Sequence, residues 1–141
     1  VNQVYNQYHG TFGVLFPSGF NVHSLVGKRV FPRLSTARNG NIWVLKVGYK
    51  FSYFKVGDTA LSIDYGRFSN MQISFKTDGT HYDLKGVGIF AVQTLRDVCT
   101  DLYVGVRRYT LDAGLVRRGN VRQPADYKPI IAVLAGARTR F

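Results

Sequence analysis

Between Trp43 and Tyr53 every second residue is large and apolar: Trp43, Leu45, Val47, Tyr49, Phe51 and Tyr53, with Val44, Lys46, Gly48, Lys50 and Ser52 between them. Successive side chains of a strand point to opposite faces, so one face of this segment is apolar and the other carries charge. The same split recurs with Leu61, Ile63 and Tyr65 against Ala60, Ser62, Asp64 and Gly66, and with Leu102, Val104 and Val106 against Tyr103, Gly105, Arg107 and Tyr109. It recurs at the C-terminus, where Ile131, Val133, Ala135, Ala137, Thr139 and Phe141 alternate with Ile130, Ala132, Leu134, Gly136, Arg138 and Arg140. An aromatic that closes such a strand points to an all-β fold, an antiparallel up-and-down transmembrane β-barrel that ends on its last strand.

Composition agrees with strands. The chain has no glutamate, and its eight acids are all aspartate, whereas Tyr and Phe number nine and ten. That balance leaves little to nucleate helix and favours sheet. No apolar run approaches the roughly 20 residues of a membrane helix. Cys99 is single, which excludes an internal disulfide, and no Cys/His zinc spacing occurs. The N-terminus, Val-Asn-Gln-Val-Tyr, lacks a basic-then-apolar signal peptide, so the chain is expected to be mature, processed or truncated. A net charge of +11 admits nucleic acid, an anionic membrane surface, or anionic solutes in a pore as partners.

Seven strands separated by turns are expected: His9–Phe16, Phe20–Val30, Asn41–Phe54, Thr59–Phe68, His81–Leu95, Asp101–Leu111 and a last one from Ile130. Residues 1–8 read as a preceding loop or partial strand, and 9–141 as one meander in a single β-barrel segment. Connections alternate between short (Pro17-Ser18-Gly19, Lys55 to Asp58, Asp97 to Thr100) and long (31–40, 69–80, and a Gly- and Arg-rich loop over 112–127). Tight turns at one end and long loops at the other are how outer-membrane barrels are built. Aromatic residues gather at both ends of the strands. Trp43, Phe51, Tyr53, Tyr65 and Phe141 are read as girdle residues at the two membrane interfaces. A soluble barrel would show the same stripes with the apolar face inward.

The residues also carry a resemblance. Trp43-Val-Leu-Lys-Val-Gly-Tyr-Lys-Phe51, Asp58-Thr-Ala-Leu-Ser-Ile-Asp-Tyr-Gly66, Asp101-Leu-Tyr-Val-Gly-Val-Arg-Arg-Tyr-Thr-Leu-Asp112 and Val133-Leu-Ala-Gly-Ala-Arg138, with the terminal Phe141, resemble in order and spacing the C-terminal half of general porins of Gram-negative bacteria. The resemblance implies an outer-membrane location and passive diffusion of small hydrophilic solutes. It also implies contact with the bilayer and lipopolysaccharide, and a homotrimer or pairing with an N-terminal barrel half. Porins have roughly 16 strands, and their constriction loop comes from an N-terminal half with no counterpart here, so no eyelet residue carries over. The family is typically acidic, whereas this chain is basic.

Chemistry along the chain points the same way. Gly86-Val87-Gly88-Ile89-Phe90-Ala91 fits a dinucleotide fingerprint, but Val92-Gln93-Thr94 continue as strand where that fingerprint needs a helix. His9, His23 and His81 have no Cys or carboxylate at ligand spacing, so neither a metal nor another cofactor is expected. No Ser or Cys has a recognisable base, so no enzyme activity is expected. The basic residues are the functional candidates. Lys46, Lys50, Lys85, Arg107, Arg138 and Arg140 with Asp64 are read as pore-lining, joined by Arg29 and His23. Rings of Arg or Lys favour anions; a plainer role for these cations is a ladder of pairs with Asp64, Asp83 and Asp101. Arg67, Arg108 and Lys28 fall on the apolar parity, near the long-loop end, where they can snorkel to lipid headgroups. The rival reading is a soluble basic β-barrel that binds nucleic acid or a small ligand. Such nucleic-acid modules mix aromatic and basic residues on one exposed face. Here the third strand separates them, so no nucleic-acid partner is expected.

Overall fold

The computed structural model describes residues 5–32, 39–71, 81–118 and 121–140, the stretch 115–126 by its backbone alone. The strands are β1 (Asn6–Leu15), β2 (Phe20–Val30), β3 (Gly40–Phe54), β4 (Gly57–Ser69), β5 (Tyr82–Leu95), β6 (Thr100–Arg118), β7 (Val121–Asp126) and β8 (Ile130–Thr139). All pair antiparallel with their neighbours in one sheet. β8 pairs with Thr100–Tyr109 of β6 and β7 with Asp112–Arg118 of the same strand, so β7 and β8 are one interrupted strand position. The sheet is thus seven positions wide, up and down. No α-helix occurs among the described residues; Arg96–Val98 form a single 3-10 turn.

Turn chemistry sets the reversals. Gly19 has φ of +90°, and a Cβ there would meet the Lys50 carbonyl oxygen at 2.0 Å. Its own carbonyl accepts from the Lys50 amide at 2.8 Å, which ties the β1–β2 turn to β3. Gly57, at φ +147°, passes equally close to the Thr94 carbonyl. Only glycine fits these two close approaches.

One connection differs from its expectation. The segment over 112–127 is largely strand rather than loop. Gly119-Asn120, between β6 and β7, are hairpin-turn residue types, a signal that the surrounding arginines hid. β1 begins at Asn6, within the residues 1–8 read as a preceding loop or partial strand. The sheet also does not close. Among the described residues β1 pairs only β2, and β7 and β8 pair only β6, leaving two free edges.

The register orders the faces. Val14, Val22, Val47, Ile63, Ile89, Val106 and Val133 oppose one another in turn across all seven positions. One residue away, the opposite face carries the lane Gly13, His23, Lys46, Asp64, Gly88, Arg107 and Ala132. The aliphatic row is half-buried on β1 to β3 and exposed beyond, with Ile63 at 53%, Ile89 at 61% and Val133 at 70%. No hydrophobic side chain is buried among the described residues, while Asp64, Asp83 and Asp101 are. Water-soluble domains do the reverse, burying apolar side chains and leaving carboxylates outside.

Candidate functional site

Three glycines let the charged lane lie flat on the sheet. A Cβ at Gly88 or Gly105 would strike the Phe90 ring at 2.7 and 2.2 Å, and one at Gly136 the Tyr103 hydroxyl at 2.4 Å. The Phe90 ring therefore rests over bare backbone. Arg107 approaches it to 5.2 Å and the Lys46 ammonium to 5.3 Å, both within cation–π range. Arg107 also forms an ion pair with Asp64 and donates to the Tyr109 hydroxyl at 3.3 Å. Asp64 Oδ1 and Arg107 Nε are buried without a hydrogen-bond partner among the described residues. Lys46 is the cross-strand partner of Asp64, yet it forms no salt bridge among the described residues. A hollow of about 410 Å³ opens beside this cluster, lined in part by Thr11, His23, Lys46, Asp64 and Arg107.

Toward the tight-turn end, the other polar-face cations are paired. Lys50 meets Asp58 at 2.9 Å, and Asp58 also takes Ser52 at 2.6 Å and an ion pair from Arg96. Asp101 collects Arg138 at 2.7 Å, Arg140 at 2.6 Å and Thr94 at 2.9 Å, which fastens the end of β8 to β6. At the long-loop end Arg29 donates to Gln7 and the Met71 carbonyl, both at 2.9 Å, and covers the Tyr5 ring at 4.7 Å. The plainer expectation, cations held in ladders with aspartate, therefore describes most of this face.

Lys85 is corrected. Arg67 opposes Lys85, and Asp64 opposes Gly88, so Leu84, Gly86, Gly88, Phe90 and Val92 share the polar face while Lys85, Val87, Ile89 and Ala91 share the apolar one. Both parities of β5 are apolar in composition, and its charged residues sit only at one end. The pattern was thus ambiguous until its neighbours set the register. Lys46, Lys50, Asp64, Arg107, Arg138 and Arg140 do share one face. Phe90 was missed for the same reason. Its signal is the glycines at 88 and 105, small residues that leave room for the Phe90 ring. The dinucleotide-like run 86–91 lies wholly within β5, and the strand continues to Leu95.

On the apolar face, Trp43 and Tyr65 pack at 5.2 Å between ring centroids near one end, and Tyr49 with Phe51 at 6.0 Å near the other. Tyr53 is 82% exposed. Phe141 lies outside the described residues. Polar rows bound the aliphatic band. At one end Thr59 donates to Gln93 at 2.6 Å. At the other Arg67 meets Asp83 at 2.7 Å, Ser69 donates to Asp83 at 3.0 Å, and Lys85 meets Asp112 at 2.8 Å. Arg67, Arg108 and Lys28 lie on this face as their parity predicts.

Comparison with protein-family models, with curated proteins and with solved structures found no match to this chain.

Proposed function

We propose that this chain forms part of the wall of an outer-membrane, porin-like channel, with the apolar face toward lipid and the polar face toward a water-filled lumen for small hydrophilic solutes. The observation that carries this reading is the inverted burial: Val and Ile half-exposed or exposed in a row across the sheet, with Asp64 and Asp101 buried on the face behind them. A soluble carrier barrel would need the aliphatic row inside, where it could leave water.

Dimensions support the reading. From Thr59 to Arg67, the polar rows on β4, eight residues span about 26 Å along the strand, or about 20 Å along the normal for a strand tilted by about 40°. That approaches the apolar band of about 25 Å on outer-membrane barrels. The aromatic pairs sit near both limits, where interfacial girdles belong. The free edges of β1 and of β7/β8 expose unpaired backbone groups, which lipid does not tolerate. Additional strands, from an N-terminal barrel half or from further copies, complete the wall. The resemblance to porin C-terminal halves favours the first source.

The test is fractionation of the producing cells, intact mass of the native species, and gel mobility with and without boiling. The expected result is an outer-membrane species that migrates faster before boiling and opens discrete conductance steps in a planar bilayer. A soluble species with unchanged mobility contradicts the proposal and returns the basic sheet to the carrier or nucleic-acid reading.

A further inference from the structure

We infer that Lys46, with Arg107 and Phe90 beside it, forms a discrete binding site for a small oxyanion, a carboxylate or phosphate, in the middle of the polar face. The inference rests on the channel reading of that face. Its argument is the mismatch of charges in one lane. Asp64 stands between two cations, Lys46 on β3 and Arg107 on β6, and Arg107 is the one that pairs with it. Lys46 instead holds its ammonium over the face of Phe90. A ring face offers a cation attraction but accepts no conventional hydrogen bond, so the three N–H donors of Lys46 remain available to a ligand.

The surroundings suit an oxyanion. The hollow of about 410 Å³ admits a small hydrated ion, and Thr11 and His23 line it opposite Lys46. Arg107 and Asp64 offset one another as a pair, so Lys46 gives the cluster its net positive charge. The remaining lane positions, Gly13, Gly88 and Ala132, add no charge of their own, and the rings of His23 and Phe90 lie over the two glycines. At Lys46 and Asp64 the lane also lies near the middle of β3 and β4, away from both ends of those strands. There a charge is screened least by bulk water and acts most strongly on a passing ion. The other polar-face lysine, Lys50, is held by Asp58.

The experiment has two readouts on the native assembled protein. Inorganic phosphate is titrated against the detergent-solubilised protein, followed by the amide resonances around Lys46, and phosphate block of chloride conductance is recorded in planar bilayers. Lys46→Met keeps the stem over Phe90 and removes the donors; Lys28→Met, on the apolar face, removes the same charge elsewhere. The expected result is saturable phosphate binding that Lys46→Met weakens about tenfold or more, equivalent to about 1.4 kcal/mol, with Lys28→Met within about twofold of the parent. Equal effects of the two substitutions, or phosphate shifts that never saturate, overturn the site while an open channel leaves the lumen reading intact. Saturable binding lost in Lys46→Met but without any conductance would keep the oxyanion site and overturn the channel.

Discussion

Ile89→Arg is expected to cost the assembled protein about 2–4 kcal/mol of folding stability in lipid vesicles, the penalty for a basic residue at the midplane of a barrel's lipid face. Ile89 is an exposed member of the central aliphatic row, flanked by Ile63 and Val106. In an aqueous protein the same change would be a surface substitution worth within about 0.5 kcal/mol. Urea unfolding in vesicles reads the difference. The paired control is Val87→Arg, one outward position nearer the basic row of Arg67 and Lys85, where snorkelling shortens the distance to water. Its penalty is expected to be clearly smaller. Equal and negligible costs at both positions would mean that this face meets water.

Arg107→Ala is expected to destabilise the sheet by about 3 kcal/mol, at the low end for removing one partner of a buried ion pair. Asp64 is 5% exposed and pairs with no other cation among the described residues, so truncation leaves a buried carboxylate unmatched. Lys46 is the one neighbour able to answer, since it opposes Asp64 directly and needs only to leave the Phe90 ring. That rescue predicts strong coupling: the double change Arg107→Ala with Lys46→Met costs more than the sum of the single changes. Simple additivity in a double-mutant cycle would show that the two cations do not share Asp64.

Much of this was legible in the residues themselves. β3 declares its faces through Trp43 to Tyr53, and β2 runs over the expected Phe20–Val30 because Gly19 and a polar loop bracket it. The alternation of short and long connections gave the up-and-down order. β5 was not legible, because Leu84, Phe90 and Val92 on one parity match Val87, Ile89 and Ala91 on the other. A two-residue period cannot assign a strand that is apolar on both sides; only pairing with Asp64 and Arg107 does so. The same limit concealed Phe90, whose place depends on glycines of two strands meeting beneath it. The β6–β7 hairpin was hidden differently. Arginines and glycines in 112–127 suggested a loop, whereas the β-branched Val116 and Val121 around Gly119-Asn120 carried the hairpin signal. Sheet closure was beyond the pattern altogether, since alternation describes faces and says nothing of what meets an edge.

The most direct test of the central claim is a spin-label scan of β4 from Leu61 to Gly66 in lipid vesicles, with Cys99 replaced so that each introduced cysteine is labelled alone. The account predicts a two-residue period. Labels at 61, 63 and 65 should collide readily with oxygen dissolved in the bilayer, and labels at 62, 64 and 66 with a water-soluble nickel complex. High accessibility of 61, 63 and 65 to the nickel complex, with no preference for oxygen, would place the apolar face in water and contradict it.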